Sequence, residues 1–208
     1  MVMEKFRASE KKINSQMENK QLHLKYAEGR HWDNHPIEYA EYFSSLLFRQ
    51  GLAGPVIDIG CSSGKDAEIL QKKGHWALGL DISLDEFAKR ENANYVAADA
   101  HKLPVRDASC SEISCSGFFM INVLHYLDNP QAAMSEVHRA LKPGGLFYLH
   151  VNRQITDRFG NIDLAYTDSE IDKLISAFKL QQRNQFSRYD HEPIPHTHDI
   201  IELVLKKT

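Results

Sequence analysis

At residues 55–64 the chain reads Pro55-Val56-Ile57-Asp58-Ile59-Gly60-Cys61-Ser62-Ser63-Gly64. The first half is a short apolar run, which is typical of a buried parallel strand. Gly60 permits a tight turn, and Gly64 lets a following helix begin close to a ligand. The N–H groups at a helix N-terminus attract an anion, either a phosphate or a carboxylate. The stretch therefore predicts a strand, a ligand-binding loop and a helix, and leaves the ligand open.

Strand and helix signals alternate along the rest of the chain. Apolar residues at helical spacing predict one helix after Pro36 and another over 65–73. Further helices begin at the capping boxes 83–86 and 167–170 and at Asn129-Pro130. Further strands are predicted at 76–81, 94–98, 112–115, 146–151, 180–189 and 199–205. This alternation predicts an α/β protein with a mostly parallel sheet covered by helices on both faces.

The composition is that of an ordinary globular protein, with 42% hydrophobic and 25% charged residues. A net charge of −3 gives no overall field that would attract nucleic acid or an anionic membrane, and no run of apolar residues is long enough to span one. The three cysteines form no CxxC pair, which suits a reducing cytosol. We therefore expect a cytoplasmic, single-domain protein over 1–208, with no nucleic-acid or membrane partner.

Two more acids follow predicted strands. Asp81 closes the strand over 76–81, where an acid can accept hydrogen bonds from two ribose hydroxyls. Asp99 follows the strand over 94–98, where a carboxylate can accept a hydrogen bond from an exocyclic amine such as adenine N6. Each acid alone is commonly a turn residue or a helix cap. With Asp58, three acids at the ends of three successive strands favour a ligand site.

In order and spacing, these motifs resemble those of class I S-adenosylmethionine-dependent methyltransferases. The resemblance runs from about 55 to 151 and rests on five segments, namely 56–64, 79–83, 98–104, 123–127 and 140–145. It implies a doubly wound, Rossmann-like sheet of seven strands with an antiparallel last strand. It also divides the chain into an N-terminal helical arm or lid (1–50), a cofactor-binding core (55–151) and a C-terminal helix with a strand pair (152–208).

The resemblance implies S-adenosylmethionine as cofactor and S-adenosylhomocysteine as product. The glycine loop would line the methionine moiety, and Asp58 would orient the loop or contact the amino group. Asp81 would bind the ribose. Asp99 and the Ala100 amide would bind the edge of the adenine ring. The implied cofactor-binding residues are Asp58, Gly60, Cys61, Ser62, Gly64, Asp81, Ile82, Asp99, Ala100, Ser116 and Trp32.

The chain departs from the family pattern in two places. Ser62 stands where the family usually has glycine, which matters if the backbone there needs a positive φ. Between Asp107 and Val123 the chain is several residues longer than usual, with 117–120 as the apparent insertion. Ser116 is then expected near the end of the fourth strand, where the family's pocket continues.

His125 is the candidate catalytic residue, because an acceptor that carries a proton needs a base. A structural helix-start role is the alternative for this histidine. Tyr26, His31 and Trp32 are candidates for a lid over the cofactor, with anchoring of the arm as the alternative. His150 and Asn152 follow the fifth predicted strand and are either substrate-facing residues or turn residues.

Histidines and acids cluster near the C-terminus, at His191, His196 and His198 with Asp190, Glu192 and Asp199. Their spacing fits no closed zinc site, and cysteines are lacking. We therefore expect a solvated hairpin turn and no metal. Cys110 and Cys115 are likewise expected to pack near the fourth strand.

The function that the sequence favours is methyl transfer from S-adenosylmethionine to a small-molecule acceptor by direct displacement. A nicotinamide-dependent oxidoreductase shares the acid after the second strand, but its G-x-G-x-x-G loop is one residue longer between the outer glycines. A non-catalytic protein that only binds S-adenosylmethionine is the third interpretation. The sequence specifies neither the acceptor nor the oligomeric state.

Overall fold

The computed structural model describes residues 38–83, 94–108, 114–157, 159–190 and 195–208. The predicted arm therefore enters the description only from Glu38, and the lid candidates Tyr26, His31 and Trp32 lie outside it. Cys110, His191 and most of the helix predicted at 83–86 also lie outside the described residues.

The secondary structure follows the predicted alternation. The described helices are α1 (Glu38–Arg49), α2 (Lys65–Lys72), α3 (Pro130–Ala140) and α4 (Asp168–Leu174). The described strands are β1 (Val56–Ile59), β2 (Ala77–Asp81), β3 (Tyr95–Ala97), β4 (Cys115–Met120), β5 (Leu141–Asp157), β6 (Ile162–Ala165), β7 (Lys179–Asp190) and β8 (His196–Lys206).

Side-chain caps begin two of the helices where the sequence predicts them. The Asn129 side chain accepts a hydrogen bond from the Ala132 N–H, and Pro130 occupies the first turn of α3. The Thr167 side chain accepts from the Glu170 N–H while the Glu170 carboxylate accepts from the Thr167 N–H, which completes the capping box of α4. Local chemistry therefore fixes both helix starts.

The strands form one mixed sheet in the order β3-β2-β1-β4-β5-β8-β7. Strands β1 to β5 pair in parallel, whereas β8 is antiparallel to both β5 and β7. The prediction of a mostly parallel, seven-stranded sheet with an antiparallel last strand is confirmed along this path. The short strand β6, which pairs antiparallel with β5, adds an eighth strand beside it.

Hydrophobic clusters cover both faces of the sheet. On β5, Phe147 packs on the side of Phe178, and the next residue, Tyr148, packs on the opposite side with Phe43 of α1. Successive strand residues point to opposite faces, so the near-continuous apolar runs of the central strands are what a doubly covered sheet requires. None of the helices in the described ranges is long and apolar enough to cross a bilayer.

The prediction for the fourth strand is wrong in position. The strand spans Cys115–Met120, with all six residues buried, and not 112–115. The segment 117–120 is therefore the centre of β4 and not an insertion, since Gly117 and Met120 pair with Val56 and Ile59 of β1. Because β4 is buried on both faces, its residues do not alternate between apolar and polar, and the sequence pattern does not locate the ends of the strand.

The shifted strand also corrects the prediction for Ser116. Its backbone N–H donates to the Pro55 carbonyl, at the amino end of β1, with N and O 2.8 Å apart. Its side chain is fully buried there and lies next to Gly54. Ser116 therefore lies at the opposite edge of the sheet from Gly60, which contradicts its predicted place in a cofactor pocket.

The antiparallel part of the sheet extends past its parallel part. Strand β4 ends at Met120, opposite Leu149, but β5 continues to Asp157 and keeps its pairing with β8 over that length. Strand β7 pairs along β8 as far as Asp190. These three strands therefore form a wall, residues 150–157, 186–190 and 196–200, that stands beyond the carboxyl end of β4. We call it the antiparallel wall.

Gly60 provides a test of the loop's packing. Its φ is +70°, and a Cβ at this position would overlap the Val123 side chain. Gly51 has a similar φ of +65° with no atom within 4 Å of an added Cβ. Gly51→Ala should cost about 1–2 kcal/mol of unfolding free energy through backbone strain alone. Gly60→Ala should cost a further 1–3 kcal/mol or so through overpacking.

Urea denaturation of the two variants measures this difference. Equal losses of stability would show that Val123 does not pack tightly on the loop.

Candidate functional site

The loop between β1 and α2 is attached to the end of β2. The Gly60 and Cys61 N–H groups both donate to the Leu80 carbonyl, over 2.7 and 3.1 Å. Gly64, at φ +77°, then begins α2. The loop therefore lies at the carboxyl ends of β1 and β2, where open α/β sheets bind their ligands.

Asp81 connects the loop to β2 through its side chain. One carboxylate oxygen accepts from the Ser62 N–H at 2.9 Å, and the other accepts from the Ser83 N–H at 3.0 Å. Ser62 has a φ of +44°, the left-handed region in which glycine is usual. The hydrogen bond from the Ser62 N–H to Asp81 stabilises the serine in that conformation, at a position where the resembled pattern has glycine. The sequence did not reveal this bond.

Three buried acids, Asp58, Asp66 and Asp81, surround the base of the loop. Burial raises the pKa of Asp58 well above its usual range, and the neighbouring Asp66 and Asp81 raise it further. One Asp58 oxygen, Oδ2, is buried with no hydrogen-bond partner among the described residues. A hydrogen bond from the Ala67 N–H lowers the pKa but does not offset the burial. Because a cation stabilises a buried carboxylate, Asp58 could receive a positively charged group of a ligand.

Cys61 lies inside the loop and is not a reactive thiol. Burial raises its pKa well above the usual range, and the charge of Asp58 raises it further. The thiol therefore stays protonated at neutral pH, whereas nucleophilic cysteines are thiolates.

Tyr95, at the start of β3, is a residue that the sequence analysis missed. Its hydroxyl donates to the Gly64 carbonyl at 3.2 Å. Its ring fills the space that a Cβ would need at both Gly64 and Gly79. These two glycines are therefore required by an aromatic side chain that packs against them.

Beyond Asp81, the surface offers an apolar side chain and a second acid. Ile82 is 77% exposed and follows Asp81 directly, so its apolar side chain is accessible to a ligand. Asp99 is exposed, and its Oδ1 accepts from both the N–H and the Nδ1 of His101. These bonds, chiefly the backbone one, lower the pKa of Asp99. Ala100 packs against the core beside them.

Residues 57–149 match the sequence model of a family described as a methyltransferase domain. This segment of the chain is similar to a methyltransferase domain. Over 102 residues the chain is 30% identical to a malonyl-[acyl-carrier protein] O-methyltransferase of Marinomonas sp. (strain MWYL1). This alignment covers 45% of this chain and 36% of the relative. Over 107 residues it is 31% identical to a ubiquinone biosynthesis O-methyltransferase of Coxiella burnetii (strain Dugway 5J108-111). This alignment covers 47% of this chain and 44% of the relative. The chain therefore spans less than half the length of these curated relatives.

A solved structure confirms the fold over most of the chain. The 1,6-didemethyltoxoflavin-N1-methyltransferase of Burkholderia thailandensis, with bound 1,6-didemethyltoxoflavin and S-adenosylhomocysteine, superposes with a TM-score of 0.65. The match covers 91% of this chain and 87% of that chain at 18% identity. With the family match, it confirms the resemblance to class I methyltransferases and the Rossmann-like sheet. S-adenosylmethionine is the cofactor of this family.

Asn122 follows β4 and is a second residue that the sequence analysis missed. It is buried, with a φ of +57° that asparagine tolerates better than most residues. Its Oδ1 has no hydrogen-bond partner within the described parts of the chain. The next residue, Val123, packs on Gly60. A buried amide oxygen beside the glycine loop therefore lacks a hydrogen-bond partner among the described residues.

His125 lies in a short 3-10 helix, Leu124–Tyr126, where its Nδ1 is 3.0 Å from the Asn152 amide nitrogen. Burial lowers the pKa of His125 to about 3, and the charges of His198, His196 and Arg188 lower it further. The ring is therefore neutral at physiological pH but holds a proton weakly. General bases work best with a pKa near the working pH, so this environment favours the structural role over the catalytic one. Catalysis by His125 stays a prediction.

His150 and Asn152 are not turn residues, because both lie within β5. His150 is buried between the rings of Tyr39 and Phe186, with its Nε2 3.2 Å from the Tyr148 hydroxyl. It therefore belongs to the buried packing under α1. Asn152, which contacts His125, is on the antiparallel wall.

The prediction of a solvated turn at the C-terminal histidines is wrong for the described residues. Asp190, His196 and His198 are each at most 9% exposed, and one ligand atom from each lies within 4.8 Å of the others. The antiparallel register of β7 and β8 brings them together, which spacing along the sequence cannot show.

The Asp58→Asn substitution tests the buried acids. A carboxyl whose folded pKa is raised contributes stability that is fully present below its unfolded pKa, about 3.9, and is lost as the pH rises through the folded pKa. Removing the charge should therefore raise the unfolding free energy of the ligand-free protein at pH 8, by on the order of 1–3 kcal/mol. The gain should shrink as the pH falls toward 4.

Urea denaturation at several pH values follows this gain. Asp172→Asn, which removes an exposed carboxylate 3.0 Å from Arg183, is the matched control and should change stability by less than about 0.5 kcal/mol. A loss of stability in Asp58→Asn at pH 8 would contradict the assignment.

Proposed function

We propose that this chain is a methyltransferase that transfers a methyl group from S-adenosylmethionine to a small-molecule acceptor by direct displacement. The observation that carries the proposal is the Asp81 carboxylate, buried at the end of β2 and hydrogen-bonded to the glycine loop at Ser62. One side chain thereby fixes both the loop and a pair of acceptor oxygens at the ligand-binding edge of the sheet.

Asp81 is the proposed ribose ligand. An ionised carboxylate has about four lone-pair positions. The Ser62 and Ser83 N–H groups occupy one position on each oxygen. Each oxygen therefore retains the capacity to accept one ribose hydroxyl, in a charge-assisted hydrogen bond.

The remaining cofactor roles follow the positions of the other residues. Asp58, a buried acid beside the loop, is proposed to receive the amino group of the methionine moiety. The exposed Ile82 side chain is proposed to pack on the adenine ring, with Asp99 and the Ala100 amide at its edge. Asp99 would accept a hydrogen bond from the adenine amine, and its Oδ1 would keep the two hydrogen bonds from His101.

The acceptor is proposed to bind between the glycine loop and the antiparallel wall. Asn122 and Asn152 each have a buried amide oxygen without a described partner in this region. The His125 ring lies beside Asn152, with its Nδ1 3.0 Å from the amide nitrogen. The small-molecule class is supported by the neighbour from Burkholderia thailandensis, whose acceptor is bound as a small molecule. S-adenosylmethionine would supply a methyl group on a sulfonium, and the residues of the chain orient the acceptor and exclude water. The proton of an O–H or N–H acceptor passes to a base or to solvent.

Asp81→Ala should weaken the binding of S-adenosylhomocysteine at least about tenfold. The substitution removes two charge-assisted hydrogen bonds to the ligand, each on the order of 1.5–3 kcal/mol, and it also frees the Ser62 N–H. Isothermal calorimetry measures the change. Glu41→Ala, on the exposed face of α1, is the control and should bind as the wild type does. An unchanged Kd in a folded Asp81→Ala protein would remove Asp81 from the site.

Turnover separates an enzyme from a binding protein. Labelled S-adenosylmethionine incubated with the full chain and a panel of phenols, amines and carboxylic acids should yield S-adenosylhomocysteine with at least one acceptor. Asp81→Ala should lose that turnover at limiting cofactor. Binding of S-adenosylmethionine with no turnover across the panel would favour a non-catalytic binding protein. Binding of nicotinamide dinucleotides in its place would favour an oxidoreductase.

A further inference from the structure

The end of the antiparallel wall carries two histidines and one aspartate that converge on one point. Strand β7 ends at Asp190, and β8 begins at His196, directly opposite. His196 and His198 are two positions apart, so they lie on the same side of β8. All three side chains are buried, at 9%, 4% and 4% exposure. Three metal-binding side chains are thus withdrawn from water together.

The donor atoms form a triangle of the size that a metal ion requires. His196 Nε2 and His198 Nε2 are 2.7 Å apart, His198 Nε2 and Asp190 Oδ2 are 3.1 Å apart, and His196 Nε2 and Asp190 Oδ2 are 3.8 Å apart. Ligands at 2.0–2.1 Å from a tetrahedral zinc ion lie about 3.3 Å from one another. The three observed distances bracket that value, so an ion fits with shifts of a few tenths of an ångström.

We propose that Asp190, His196 and His198 bind a divalent transition-metal ion, with at least one coordination position left open. Two imidazoles and one carboxylate are a ligand set that suits zinc and its first-row neighbours, whereas magnesium and calcium prefer oxygen ligands alone. Three protein ligands leave a position for water or for a ligand atom.

Arg188 holds the carboxylate in position. Its Nε donates to Asp190 Oδ1 at 3.0 Å, and its terminal nitrogen donates to Oδ2 at 2.9 Å. Outer hydrogen bonds of this kind orient the ligands of metal sites. The guanidinium also offsets part of the carboxylate charge.

The proposed metal site lies next to the proposed acceptor region. His125 interacts electrostatically with His196, His198 and Arg188, and its ring contacts Asn152 on the same wall. The proposed metal site and Asn152 therefore share the antiparallel wall, since His198 is two residues along β8 from Ile200, the register partner of Asn152. Metal binding itself does not depend on methyl transfer, so the two proposals can fail separately.

Metal binding is tested on the full chain, purified without a histidine tag and dialysed against a chelator. Zinc added alone should bind with a stoichiometry of one per chain, measured by calorimetry and by elemental analysis after gel filtration. Cobalt(II) in its place should give the visible absorption bands of a four- or five-coordinate ion.

Two variants and one control identify the ligands. His198→Ala and Asp190→Asn should each weaken zinc binding at least tenfold and abolish the cobalt bands, with Asp190→Asn preserving the shape of the side chain. His138→Gln, which alters a histidine of α3 outside the wall, should bind zinc as the wild type does. Wild-type protein that binds no zinc, or binding that both ligand variants retain, would overturn the proposal.

Discussion

The hydrogen bond from the Ser62 N–H to the Asp81 carboxylate joins the first strand end of the sheet to the second. The bond holds the serine at a positive φ, keeps the loop close to β2 and fixes the orientation of Asp81. Tyr95 packs on the same loop from β3, and Val123 packs on it from the segment after β4. Residues from β2, from the start of β3 and from the segment after β4 therefore pack on one loop conformation, and the last two exclude a Cβ at Gly64 and Gly60.

The two halves of the sheet serve different purposes. The parallel strands end together and supply the acids and glycines of the proposed cofactor site. The antiparallel strands β5, β7 and β8 continue beyond that edge and supply the polar residues of the wall. His125 connects the halves, because it follows β4 in the chain and contacts Asn152 on β5. The family model matches mainly the parallel half, since it ends at residue 149.

The sequence predicted what depends on local patterns. The loop after β1, the acids at strand ends and the caps of α3 and α4 each have a residue signature, and all lie where expected. The end of β4 was misplaced because Cys115–Met120 is apolar on both faces, so Ser116 was assigned to the wrong edge. Burial of Asp190, His196 and His198 depends on the register of β7 and β8, a long-range property that no local pattern contains. Tyr95 and Asn122 were missed because their positions beside the glycine loop also depend on long-range packing.

A crystal structure of the full chain with S-adenosylhomocysteine tests the central claim, that Asp81 organises the loop and the cofactor together. Both ribose hydroxyls should donate to the Asp81 carboxylate, at the 2.5–2.7 Å or so that charge-assisted O–H···O bonds adopt. The Ser62 N–H should keep its bond to Asp81 Oδ2 in the same structure. A ribose bound away from Asp81, or a loop that abandons the Ser62 bond when the ligand binds, would contradict the account.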